Sequence, residues 1–345
     1  MKQSNNETMS PVHFESLFPA DSRAVEIARI VGFVKSGFSA VLIGLPGIGR
    51  ATILRLLTYN TNVRIKHLGD NQKWFHFVHL SFGEMKNRSL ADVTKFIFLT
   101  LTDSLRDRGM IEEHDKLHTI FHQYSQQNDE LVLFQGLKEA MDILTQEKEL
   151  TIIFLLDRFE EYAPIATPEF FSQLRILRDR AKYRFSVVFS VPRPLEDLVD
   201  TDTMSAFYEF VAGHDVHVSL LDRITTDFRI SYIEKAHSAS SRQAEKTLDQ
   251  KTIETIYQLT AGHGKLTKIA VEEILSNPNI LRAERSEVEK FSTSSNNKLD
   301  SFILGSKPIQ KALFDIWNFL TPSEQSSAME QLNNSTMALS IPLFE

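Results

Sequence analysis

The chain of 345 residues contains no cysteine, which excludes disulfides, thiolate zinc sites and cysteine nucleophiles. It has no long apolar run either. The densest, residues 152–156, falls far short of the roughly 20 residues that span a bilayer. Residues 1–10 are polar and lack the apolar core of a signal peptide. These absences make the cytoplasm the expected location and leave no membrane partner to expect. The G-x-S-x-G elbow of a serine hydrolase is missing, and the SFGEM stretch at Ser81 has no glycine frame to replace it. His114, His118 and His122 recur every four residues and share a helix face. Without an H-E-x-x-H pattern they read as a solvated face rather than a metal site. His76 and His79 lie three apart on a predicted strand, point to opposite sides and are poor co-ligands. Nor is there an excess of basic charge. The formal net charge is −7, which weighs against broad, charge-driven coating of nucleic acid.

What is present is ordinary soluble-protein material: 42% hydrophobic and 24% charged residues, with 25 phenylalanines for a core. The length suits a larger α/β domain with one or two small ones. Short apolar strands are predicted at residues 39–43, 74–82, 150–156, 185–191 and 216–220. Helical periodicity fills the intervals, including residues 24–36, 50–57, 90–105, 131–144 and 168–182. Alternation of this kind predicts a mainly parallel, five-stranded sheet covered by helices. After residue 222 the strand signals stop and helices take over. The expected organisation is a flexible lead over 1–18 and an α/β domain over 19–222. A small helical domain over 223–285, a linker over 286–307 and helices over 308–345 follow.

The segment VLIGLPGIGRATILRLL, residues 41–57, carries the first chemical signal. Glycine is sparse in this chain, yet Gly44, Gly47 and Gly49 fall within six positions between a strand and a helix. Such a turn lets backbone N–H groups and the helix amino terminus point at phosphates. Pro46 and Ile48 complete the turn. A strict phosphate loop reads G-x-x-x-x-G-K-[ST]. Here Arg50 stands in place of the lysine, Ala51 in place of the magnesium-binding hydroxyl, and Thr52 comes one position late. Arg50 keeps the charge on a bulkier, planar fork. Ala51 has no oxygen to offer a metal, and Thr52 is turned by about a third of a circuit. Binding on backbone amides should survive better than hydrolysis, which needs Mg²⁺ and a cation as the γ-phosphoryl leaves.

The second signal is LTIIFLLDRFEEY, residues 150–162. A buried strand delivers Asp157 to its carboxyl end, where ligands sit in open α/β sheets. A carboxylate there can hold Mg²⁺, and Glu160 or Glu161 can orient a water.

On these residues the sequence resembles the STAND branch of P-loop ATPases, relatives of the AAA+ and origin-recognition ATPases. GLPGIGRATILRLL is similar to their Walker A loop in degenerate form, and FLLDRFEEY to their acidic Walker B strand end. The resemblance implies ATP and Mg²⁺ as cofactors, with Gly44, Pro46, Gly47, Ile48, Gly49, Arg50, Ala51 and Thr52 around the phosphates. It makes Asp157 the metal ligand, with Thr52 beside it, and Glu160 the acid that activates water. FSVVFSVPRPLEDL, residues 185–198, is similar to the family's sensor strand and assigns a sensor role to Arg193, with Ser190 near it. AGHGKLTKI, residues 261–269, resembles the turn of the helical lid and would bring His263 toward the nucleotide. Arg23 would lie near the base. PIQKALFDIWNFLTPSEQ resembles the start of a winged-helix domain.

The function this implies is an ATP-binding regulatory switch with weak hydrolysis, whose nucleotide state controls lid closure and a protein partner or self-association. A P-loop scaffold without turnover, resting on Arg50 and Ala51, stays open beside it. So does a DNA-associated ATPase, against which the acidic total counts. Arg175, Arg178, Arg180, Lys182 and Arg184 read as a solvated face before they read as an arginine finger or a DNA patch.

Overall fold

The structure is a computed structural model and describes residues 13–126, 129–241, 248–277 and 295–338. Residues 1–12 of the expected lead and 278–294 of the expected lid and linker lie outside that set. The chain forms two compact units, Met1–Phe228 and Arg229–Glu345.

The first unit is built on β1 (Ala40–Ile43), β2 (Phe75–Ser81), β3 (Thr151–Asp157), β4 (Phe185–Val191) and β5 (Asp215–His217). They form one five-stranded, parallel sheet in the order β2-β3-β4-β1-β5. The central strands are buried along their length, which is why they read as continuous apolar runs rather than alternating ones. Helices α1 (Ala24–Lys35), α2 (Arg50–Tyr59) and α3 (Thr61–Leu68) supply one apolar cluster, with Leu42, Phe77, Ile153, Leu155, Val188 and Val216 from the strands. Helices α4 (Leu90–Asp107), α5 (Ile111–Ser125), α6 (Glu130–Asp142), α7 (Pro168–Ala181) and α8 (Thr201–Tyr208) supply the other. There the strand partners are Val41, Val78, Ile152, Phe154, Val187 and Phe189. The two strand sets differ by one residue, as the period of two demands. The second cluster is rich in aromatic rings packed edge to face, such as Phe159 on Phe189 at 5.0 Å between centroids.

This topology positions the site. The chain leaves β1 through α2 on one face and leaves β4 through α8 on the other, although β1 and β4 are neighbours. Connections that part to opposite faces open a crevice at the carboxyl ends of the strands. The glycine turn opens into that crevice, and Asp157 ends β3 one strand beyond β4.

Some sequence expectations need correction. Residues 13–18 are not a loose lead: Phe14–Leu17 is a 3₁₀ turn, Phe18 is buried, and Asn60 donates to the carbonyls of Glu15 and Phe18 at 2.9 Å. The part of the expected linker that is described forms α12 (Ser295–Gly305). Its polar Ser-Asn-Asn start hides Leu299 and Ile303, which fall on one helix face and are buried. β5 is shorter than expected and sits earlier, at 215–217; Val218 still donates to the Ile43 carbonyl, and from Ser219 the chain engages Arg23 and Glu26 instead.

The second unit is helical. It contains α10 (Gln250–Thr260), α11 (Gly264–Ser276), α12, α13 (Lys307–Phe319) and α14 (Pro322–Ala338), and α9 (Arg223–Ser241) runs into it from the first unit. Ile230, Ile256, Val271, Ile274, Leu299, Ile303 and Ile309 share one core. No strand follows β5 among the described residues, so nothing there forms the wing of a winged helix. None of the described helices is long and apolar enough to cross a membrane.

Candidate functional site

The turn between β1 and α2 is held from several sides. Gly44 donates its N–H to the Val191 carbonyl at 3.1 Å, which ties the turn to the end of β4. A Cβ at Gly44 would sit 2.9 Å from both Ile48 Cγ2 and Val218 Cβ. Gly47 and Gly49 take φ values of 82° and 117°, a region other residues enter only with strain. The amides of Gly47, Gly49, Arg50, Ala51 and Thr52 have no protein acceptor among the described residues. Such N–H groups, aligned with the amino end of α2, suit an anion. Thr52 is half-buried and its hydroxyl likewise has no partner among the described residues.

Arg23 lies beneath this turn. It is 1% exposed, and its backbone adopts φ 56°. Its guanidinium donates to the Ile48 carbonyl at 2.7 Å, to the Ser219 carbonyl at 2.6 Å and to Glu26 at 3.0 Å. Its own N–H donates to Asp222, which also accepts from Thr225 N at the start of α9. Burial lowers its pKa, against the pull of Glu26 and Asp222. The family resemblance puts Arg23 near a base. The geometry gives it a structural duty, pinning the turn to the segment after β5. Glu26 and Asp222, its partners, drew no notice in the sequence, although the Asp-x-x-Thr spacing at 222–225 is a helix-cap signal.

Asp157 follows Ile153 and Leu155 onto the α2 face of the sheet, by the same alternation that packs the core. It is 5% exposed. Burial pushes its carboxyl up, but His79, Arg50 and Arg55 overcome that and leave it below the usual carboxylate value. His79 Nε2 stands 3.4 Å from Asp157 Oδ2, too long for a good hydrogen bond and close enough for electrostatic contact. His79 is the residue that sequence reasoning passed over. The opposite facing of His76 and His79 was legible; that β2 lies beside β3, with Ser81 level with Asp157, was not. Ser190, fully buried on β4, has no partner for its hydroxyl among the described residues.

Glu160, which the resemblance favours, and Glu161 beside it are separated by their surroundings. Glu161 pairs with Arg158 at 2.8 Å and Lys86 at 3.3 Å. Glu160 instead accepts from both terminal nitrogens of Arg50, at 2.7 and 3.3 Å. That fork-to-carboxylate pair joins the first residue of α2 to the turn after β3, and both side chains are partly buried. Arg193 is partly buried two residues past β4, whose last carbonyl holds Gly44. His263 belongs to the second unit, where it is buried and caps α11 by accepting from Leu266 N at 3.4 Å.

The other sequence clusters have local explanations. Arg178 lies 3.7 Å over the Phe210 ring and donates to the Gly37 carbonyl; Arg175 pairs with Glu209 at 2.9 Å. Arg180 pairs with Asp142 and Arg184 with Glu149. These four side chains have partners within the chain, and Lys182 is exposed. His118 and His122 meet Nε2 to Nε2 at 3.2 Å on the surface of α5. Among the described residues no three ligand-type side chains cluster as a metal site. Mg²⁺ in a phosphate site does not need such a cluster, since one carboxylate, waters and phosphate oxygens suffice.

A parallel sheet whose first strand runs through a glycine turn into a helix defines an α/β domain of the P-loop kind. No protein-family model and no curated protein matches the chain. Solved structures do. A Walker-type ATPase of Pyrococcus abyssi matches at 13% identity, with a TM-score of 0.47, covering 89% of this chain and 91% of that one. The Orc1 protein of Aeropyrum pernix, solved in complex with DNA, matches at 12% identity and TM-score 0.40, over 94% and 79%. Cdc6p of Pyrobaculum aerophilum matches at 12% identity and TM-score 0.39, over 84% and 94%. At such values the likeness carries no chemistry across, and the site is read from this chain's own residues.

Proposed function

We propose that the first unit binds ATP at the glycine turn and acts as a regulatory switch with weak hydrolysis. The observation that carries this reading is the Arg50–Glu160 pair. Arg50 is the cation that should meet the phosphates, and Glu160 is the acid that should orient water. The two side chains are paired with each other.

The amides of Gly47, Gly49, Arg50 and Ala51 would receive the β- and γ-phosphates. A γ-phosphate competes with Glu160 for Arg50, because both are oxyanions seeking the same planar fork. Binding therefore has two arrangements of the pair, closed and open, and the γ-phosphate selects the open one. An opened Glu160 is then free to accept a hydrogen bond from water. Asp157 and Thr52 would hold Mg²⁺, which neutralises phosphate charge when bound. Hydrolysis stays slow because Ala51 supplies no oxygen to the ion and Arg50 is drawn back by Glu160. Arg193, at the end of β4, serves as sensor. His263 reports from the helical unit, and a protein partner or a second copy reads the outcome.

Calorimetry with ATP, ADP and GTP, each with and without Mg²⁺, tests this. Magnesium-dependent ATP binding with turnover well below one per second supports it. No binding of any nucleotide by nucleotide-free protein overturns it and leaves a scaffold without ligand.

A further inference from the structure

A second region of the first unit holds two guanidiniums that pair with no carboxylate among the described residues. β2 is an edge strand, bonded only to β3. Beside its open edge lies a cavity of about 1100 Å³, lined by α2 and α3 on one side and α4 on the other. Arg64 and Arg108 enter it from those two sides. Arg64 donates to the carbonyls of Leu57 and Thr58, at 3.1 and 2.6 Å, and to Thr61 Oγ1 at 3.0 Å. Arg108 donates to the carbonyls of Phe75, at 3.1 Å, and Lys73. These bonds fix both guanidiniums without using all their donors, since each carries five N–H groups. Neither has a carboxylate partner among the described residues.

The surroundings make the charge costly. Burial, and then the charge of Arg108, hold the Arg64 guanidinium down at about 10. His76, also lining the cavity, is held neutral down to about 3 by burial, then by Arg108 and Arg64. It bonds Ser104 Oγ at 2.8 Å and adds no charge. Two acids share the cavity wall: Asp103 is turned to Arg106 at 3.6 Å, and Asp107 acts on Tyr59, while neither pairs with Arg64 or Arg108. His13 and Tyr59, stacked 3.5 Å apart, add a flat face to the wall. Two fixed, partly desolvated guanidiniums that no carboxylate among the described residues pairs with make a receptor for an oxyanion. The volume exceeds that of a bare anion and matches a small organic ligand.

We propose that this cavity is a second anion site, in which Arg64 and Arg108 grip the phosphate of a small phosphate ester whose organic part lies along the Tyr59 wall. It is separate from the glycine turn and does not depend on the function proposed for it.

The test follows the imidazole NMR signals of His13 and His76 during titration of the full chain with inorganic phosphate and then phenyl phosphate. Both should shift saturably, phenyl phosphate at lower concentration. Arg108→Gln should weaken binding at least tenfold. So should Thr100→Asp, which puts a negative charge on the wall without removing either arginine's bonds. Arg50→Ala, at the glycine turn, should leave it unchanged. Absence of a saturable shift, or equal affinity in folded Thr100→Asp, overturns the proposal.

Discussion

Arg50 and the Arg64–Arg108 pair are the same side chain in opposite settings. At the carboxyl edge of the sheet, Arg50 meets Glu160 in a two-bonded pair that a phosphate must break. At the edge of β2, Arg64 and Arg108 meet only carbonyls and a hydroxyl, and a phosphate would have no carboxylate to displace. The first setting suits the proposed switch, in which occupancy would change which partner is held. The second suits a standing receptor. Arg23 marks a third case, a charge spent entirely inside the fold.

The contrast can be broken or sharpened by experiment. Removing a buried arginine held by several partners should cost most. Arg23→Ala leaves Glu26 buried without its cation, with only Ser219 donating to it, and the Ile48 carbonyl without its donor. It should destabilise the first unit by about 3–5 kcal/mol in chemical denaturation. A loss below about 1 kcal/mol would mean that the clamp is ornamental.

Acid should come next. His76 ordinarily titrates near 6.5 and is held to about 3 in the folded chain. Between those values the unfolded chain binds a proton that the native state refuses. Stability is thus full above pH 6.5 and falls by about 1.4 kcal/mol per pH unit below it. His67, lowered by burial and Lys66, adds loss of the same sign, whereas the depressed Asp157 acts only below its ordinary value of 3.8. His76→Gln should flatten the slope between pH 6.5 and 4 by one proton, measured as denaturation midpoint against pH. An unchanged slope would show that His76 is protonated in the native state.

Opening the switch should be a smaller effect. Glu160→Gln replaces a carboxylate by a neutral amide and releases Arg50. ATP should bind on the order of tenfold tighter, about 1.4 kcal/mol, while turnover falls. Equal loss of binding and turnover would remove Glu160 from its catalytic role. Least of all, Arg175→Ala breaks an exposed pair with Glu209 and should change stability by about 0.2–1 kcal/mol, with nucleotide binding untouched. A loss of nucleotide binding there would revive the arginine-finger reading.

Much of the architecture was legible because its signals are local. The apolar runs at 152–156 and 185–191 could be nothing but buried strands, and the glycines between β1 and α2 announced a turn. The misreadings had local causes too. The Ser-Asn-Asn start of α12 outweighed the spacing of Leu299 and Ile303, and the polar lead concealed Phe14 and Phe18. The candidate site was legible only in part. Asp157 and the glycine turn stood out, whereas only the family resemblance favoured Glu160 over Glu161, and their surroundings differ through Arg50 and Lys86.

By itself, then, the sequence determined which segments are strands, where glycines turn the chain between strand and helix, and which acid ends a buried strand. Those follow from period, glycine content and apolar length within a dozen residues. Tertiary structure alone decided that His79 would face Asp157, that Arg50 would find Glu160 across 110 positions, and that Arg23 would reach Ser219 across 196. Such pairings depend on strand order and on which face each connection crosses, and neither is written into any local stretch of chain.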